Sequence, residues 1–79
     1  MNGYIYILSN PSMPGILKIG KTERCPEERI SELSSVTGVP TEFVLEYKIH
    51  VPDCDIAEKK VHKSLCTFRV SNNREFFKI

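Results

Sequence analysis

No excess of charge of either sign marks this chain. Eleven lysines and arginines stand against ten acids, a formal net charge of +1 at pH 7. Nucleic-acid binders often carry a strong basic excess. A polyanion-binding surface here must therefore come from local sorting of charge, not from the overall balance. Cysteine is scarce and unpatterned: Cys25, Cys54 and Cys66 are an odd set of three without a C-x-x-C pair. That argues against both a disulfide scaffold and a zinc ribbon. Cys66 follows His62 by four residues and could share a helix face with it. A structural zinc site needs four ligands, however, and only Cys54 offers itself as a third, so buried reduced thiols are the expectation. Long apolar runs are missing too: nothing approaches the ~20 residues of a membrane span. Met1-Asn2-Gly3 does not open like a signal peptide, so a cytosolic location without membrane contact is expected. Repeats, linkers and low-complexity stretches are also lacking.

What is present suits one small globule. The 79 residues, 41% hydrophobic and 27% charged, support a single domain over 1–79. A chain of this size buries roughly 60% of its unfolded surface, enough for one small core and one shallow site.

From Gly15 to Thr22 the chain reads GILKIGKT, which satisfies G-x-x-x-x-G-K-[ST] at every fixed position. A phosphate-cradling loop needs a buried strand before it and a helix starting at its Gly-Lys-Ser/Thr. Here Asn10-Pro11-Ser12-Met13-Pro14 precedes it, a turn, and Pro26 would fall inside the first turns of the required helix. The loop interior, Ile16-Leu17-Lys18-Ile19, is apolar and β-branched, the composition of a strand. The pattern is accidental, and 16–21 is the second strand of a hairpin whose first is YIYILS, 4–9. Gly20 near the strand end suggests a close backbone approach or a bulge.

Pro26 suits a first helical position, with Glu27 and Glu28 in the positive first turn and Gly38 as the stop, predicting a helix over 26–37. Residues 42–51, EFVLEYKIHV, alternate: Phe43, Leu45, Tyr47, Ile49 and Val51 on one face, Glu42, Glu46, Lys48 and His50 on the other. Pro52 ends this strand, and Asp53 or Asp55 can cap a second helix over about 54–66, with Ile56, Ala57, Val61 and Leu65 on its buried side. A polar loop, Val70 to Asn73, leads to a final strand, REFFKI, at 74–79. The expectation is an α+β domain of order β-β-α-β-α-β, a central antiparallel or mixed sheet flanked by helices.

Within that order stand Tyr4-Ile5-Tyr6, Lys18-Ile19-Gly20, Arg29, Glu58 with His62 one turn later, and Glu75-Phe76-Phe77. Together they resemble the GIY-YIG nuclease superfamily, closest to a small phage and virus subgroup, over essentially the whole chain. The resemblance implies a DNA endonuclease that hydrolyses phosphodiesters with one divalent metal, Mg²⁺ or Mn²⁺. It makes Tyr6 the tyrosine of the first motif and puts Lys18 at the tyrosine of the second. Arg29 becomes the guanidinium facing the scissile phosphate, Glu58 the metal ligand, and Tyr6 or His62 the group that handles the proton. The residue types suit these tasks: a guanidinium matches phosphate oxygens as a planar fork, and magnesium is usually held by few carboxylates plus substrate oxygens. With DNA as partner, Lys21, Arg24 and Arg69 are the cations expected to contact it. A homodimer or a separate targeting partner would supply specificity.

Two positions depart from the pattern. Tyr4 replaces the first glycine, although Gly3 stands just before it, and Lys18 cannot perform the acid–base work of a phenol. The late asparagine of some members has no counterpart beyond Asn72 and Asn73 in the loop. A catalytically weak or inactive DNA-binding or regulatory module is therefore the alternative.

Plainer roles compete at each residue. Tyr6 suits strand packing; Lys18 and Lys21 suit solvated strand charges; Arg29 can pair with Glu28 or Glu32. Asp55-x-x-Glu58 has capping-box spacing. Glu75 is expected to anchor the last strand on Arg69 or Arg74, and Phe76 and Phe77 to be one core and one rim residue. His50 lies on a wet strand face and His62 could be an ordinary helix-surface histidine.

Overall fold

The computed structural model describes residues 1–35, 40–70 and 75–79. The strands are β1 (Gly3–Ser9), β2 (Ile16–Thr22), β3 (Val44–Val51) and β4 (Phe76–Lys78), and the helices α1 (Pro26–Ser34) and α2 (Cys54–Ser64). They follow in the expected order. The four strands form one antiparallel sheet, β3-β1-β2-β4.

β1 is apolar at almost every position because it is covered on both faces. Successive strand side chains point to opposite sides. Tyr6 and Leu8 join Phe43, with Ile30 and Leu33 of α1, on one face. Ile5 joins Ile19 and Phe77, with Ala57, Val61 and Leu65 of α2, on the other. The sheet is therefore the middle layer of three. Ile5, Tyr6, Leu8, Ile19 and Phe77 are all at most 5% exposed.

The hairpin turn is held by Asn10, buried at 4% exposure. Its Oδ1 accepts from Ser12 N at 2.8 Å, and its Nδ2 donates to Thr41 O at 2.9 Å, which ties the turn to the start of β3. Gly15, with φ +78°, leads the chain into β2. The segment that mimics a phosphate loop is thus a strand.

Pro26 is the first residue of α1 and is buried. The helix ends at Ser34, short of the expected 37; Gly38, its expected stop, lies outside the described residues. Asp53 caps α2, its carboxylate accepting from Asp55 N and Ile56 N, both at 3.1 Å. The third residue beyond this cap is Ile56, so Asp55 and Glu58 form no capping box, and Glu58 is free of that role. α2 stops at Ser64 and a short 3₁₀ turn, Cys66–Phe68, follows.

The alternation expected through 42–51 is broken. Ile7 pairs with Tyr47 but Leu8 pairs with Leu45, so Glu46 has no partner on β1. One extra residue turns every side chain beyond it to the opposite face. Phe43 and Leu45 pack beneath α1, whereas Val51 packs with the α2 layer. Tyr47 and Ile49, on that second face, are 53% and 45% exposed. The thiols depart from expectation as well: all three are free, but only Cys54 is buried, while Cys25 and Cys66 are exposed.

Candidate active-site cleft

β4 pairs with β2 only over Ile16–Lys18. Beyond that point the β2 edge is served by single bonds: Ile19 N donates to Glu75 O at 3.0 Å, and Ile19 O accepts from His62 Nε2 at 2.9 Å. Groups from both layers can meet at this short edge, and they do.

From the α1 side comes Tyr6, whose ring is 1% exposed. Its hydroxyl sits over Gly20, its partner on β2. A Cβ at position 20 would lie 2.5 Å from Tyr6 Oη and 3.0 Å from Glu75 Oε2. Glycine is needed there for close approach, so the phenol and the Glu75 carboxylate share the space above one backbone position. Arg29, one turn into α1, stands near enough to the Tyr6 hydroxyl to favour its ionised form. Its only ion pair among the described residues is a long one, 3.9 Å to Glu32. Burial raises the Tyr6 pKa, with Glu75 and Glu58 adding to the effect and Arg29 partly offsetting it. The phenol therefore keeps its proton at neutral pH.

Lys18 lies on the same face. Its side chain is 11% exposed, its Nζ donates to Glu75 Oε2 at 2.9 Å, and it stands 5.1 Å from the centroid of the Phe76 ring. A nearly buried ammonium is tolerable only with such a counter-charge. Glu75 was expected on Arg69 or Arg74; its carboxylate is held by Lys18, and Arg74 lies outside the described residues. Phe77 is fully buried and Phe76 partly so, the core and rim division expected.

From the α2 side comes Glu58. One of its carboxylate oxygens, Oε2, is buried without a hydrogen-bond partner among the described residues. Its pKa is raised, first by burial and then by Glu75, against the pull of His62, Lys21 and Lys18. A half-buried carboxylate with an orphaned oxygen and a second acid nearby is the donor set a divalent cation satisfies. Among the described residues no group of three or more His, Cys, Asp or Glu side chains could hold a metal ion, so an ion here would rest on Glu58 with water and substrate oxygens completing its shell.

His62 is otherwise engaged. An arginine can only donate, so Arg69 Nη2, 2.8 Å away, donates to His62 Nδ1, and Nε2 carries the proton given to Ile19 O. Both ring nitrogens are committed to the protein, the ring leans on Phe77 at 5.1 Å, and Arg69 stacks on the same phenyl ring at 5.5 Å. His62 thus ties α2 to the sheet. Of the two proton carriers expected, only Tyr6 has its polar atom in the cleft.

Tyr6, Lys18, Arg29 and Glu58 are brought together, with Glu75 added. Of the expected DNA contacts, Lys21 is close enough to act on Glu58 but is bonded to Asp55, while Arg24 is bonded to Glu32 and Arg69 to His62. Glu75 was the residue whose role the sequence left hidden; the only signal was its place in the closing Glu-Phe-Phe. Two surface hollows, of about 390 Å³ beside α1 and 290 Å³ under the hairpin turn, lie apart from these groups. Among the described residues no helix is long and apolar enough to cross a membrane.

Comparison with curated proteins and with solved structures finds no match. A family model, that of the T5orf172 domain, matches residues 3–79, which takes in the whole sheet, both helices and every group of the cleft. The chain belongs to the T5orf172 domain family, a nuclease-like, phage-associated group.

Proposed function

We propose that the domain is a metal-dependent DNA endonuclease of GIY-YIG type that hydrolyses phosphodiesters in this cleft. The observation that carries the reading is the buried Glu58 oxygen, without a hydrogen-bond partner among the described residues, on a carboxylate whose charge acts on Tyr6 and is acted on by Glu75 and Lys18.

Each group has a task its chemistry allows. Arg29 presents a planar fork of donors to two oxygens of one phosphate. That fork stands near the Tyr6 hydroxyl and offsets part of the rise in its pKa. The Tyr6 proton is available at Oη to the oxygen that leaves, or can be exchanged with the attacking water once positive charge is near. Lys18, restrained by Glu75, adds a fixed positive charge beside the phenol. When bound at Glu58, Mg²⁺ or Mn²⁺ would lower the pKa of a water and neutralise charge on the phosphate.

The experiment is conversion of supercoiled plasmid to open circle, followed with Mg²⁺ or Mn²⁺ and with chelator. The expected result is nicking that needs the ion and disappears in Glu58→Ala. Undiminished nicking by Glu58→Ala would overturn the proposed ligand. Lys18 in place of tyrosine favours the second reading, a non-cleaving DNA-binding module. Its signature is salt-sensitive DNA binding with the plasmid left intact under every divalent ion.

A further inference from the structure

We infer that the outer face of α2, through Lys59, Lys60 and Lys63, is the surface that grips the sugar–phosphate backbone of duplex DNA. The inference rests on DNA as the partner but not on cleavage.

The near-zero net charge hides a strong sorting. Lys18, Lys21, Arg24, Arg29 and Lys48 all have carboxylate partners within the chain. A paired cation contributes little field beyond its own neighbourhood, because the pair is neutral. Lys59, Lys60 and Lys63 are exposed, and no acid among the described residues pairs with them. The unpaired, exposed acids lie elsewhere: Glu28 on α1, Glu23 just before it, Glu42 and Glu46 around the start of β3. α1 and α2 cover opposite faces of the sheet. On the helices, the exposed lysines without a carboxylate partner thus all lie on α2, while α1 carries the unpaired Glu28.

These lysines are placed for a ligand in the cleft. Ala57, Val61 and Leu65 face the sheet. Glu58 and His62 flank that stripe on the cleft side, and at about 100° per residue Lys59 and Lys63 come next around the helix. Those two lysines stand one turn apart, about 6 Å along the axis, with Lys60 beside them. Lys63 in the last turn also favours the helix dipole, but Lys59 and Lys60 are too far from the C-terminus for that role. Lysine is a flexible point charge suited to phosphate contact without base readout. A backbone held there runs past Glu58, and one of its phosphates can enter the cleft while its neighbours rest on α2.

The test is binding of a fluorescent DNA duplex by anisotropy over a potassium chloride series, with chelator present so that nothing is cut. Wild type is compared with the triple variant K59Q/K60Q/K63Q and with K48Q on the opposite layer, after melting curves confirm that each is folded. The slope of log affinity against log salt should fall by about 2–3 in the triple variant, near 0.9 for each phosphate no longer neutralised. In K48Q it should stay within about half a unit. An unchanged slope in the triple variant overturns the inference. So does wild type that ignores duplex DNA, whether or not it binds a polyglutamate peptide in the same assay. Binding with the expected slopes but without nicking in the plasmid assay keeps this surface and removes the nuclease; nicking with an unchanged slope does the reverse.

Discussion

The hydroxyl of Tyr6 occupies the space where a side chain on Gly20 would begin, 2.5 Å from the position of its Cβ. The ring is 1% exposed and packed among Leu8 and Phe43, so it cannot swing away. Gly20→Ala must therefore push the phenol or bend β2. Overpacking of this kind costs about 1–3 kcal/mol, read as a lower midpoint in urea. Nicking should be lost in conditions where the variant remains folded. A variant as stable and as active as wild type would show that the phenol does not stand there.

Tyr6→Phe removes the hydroxyl and keeps the ring. The packing of the ring is kept, so stability should change by no more than about 1.5 kcal/mol. Nicking should fall about 10²–10⁴-fold, the usual range for a lost proton carrier. The two readouts together separate a chemical role for Oη from packing of the ring.

Lys18 and Glu75 should behave as a unit. Glu75→Ala leaves an ammonium that is 11% exposed without its counter-charge, at a cost of about 1–3 kcal/mol. Lys18→Met in the same chain removes the stranded charge and still covers Phe76. The double variant should then be more stable than Glu75→Ala alone, a coupling measurable by a double-mutant cycle in denaturant. Additive losses would mean that the pair is not formed in solution.

Glu58 sets a pH dependence with a definite sign. Burial and Glu75 raise its pKa in the folded state, so the native protein binds this proton more tightly than the unfolded chain. Its stabilising share is complete below the unfolded carboxyl pKa and is lost as pH rises through the raised folded value. Glu58→Gln should therefore melt higher than wild type at pH 7 to 8 without metal. Added Mn²⁺ should raise the melting temperature of wild type and leave Glu58→Gln unmoved. A glutamine variant that melts lower, or that responds to Mn²⁺ as wild type does, would show that the carboxylate is satisfied within the protein.

The layout was legible where one period governs one element. Pro26 and Asp53 mark helix starts, and the apolar hairpin strands were readable through the accidental phosphate-loop pattern. The α2 stripe of Ala57, Val61 and Leu65 was visible for the same reason, although Ile56 beside it is 52% exposed. Glu46 shows where that reasoning stops. The alternation through 42–51 is perfect in sequence, yet one unpaired residue turns half of it over, and nothing local records a register. Tyr6, Lys18, Arg29 and Glu58 were expected through the resemblance of short motifs in order, not through any period of the chain. Their partners were not: Glu75 meets Lys18 across 57 positions, and the bonds that occupy His62 come from Ile19 and Arg69. Which lysines remain unpaired depends on the same long-range contacts.

Anomalous diffraction from a crystal soaked in Mn²⁺ tests most directly whether both layers meet at one metal-ready carboxylate. The expected result is a peak in contact with a Glu58 oxygen, on the side shared with Tyr6 and Glu75. A peak held instead by Asp53 and Asp55 at the start of α2, with Glu58 left bare, would contradict it.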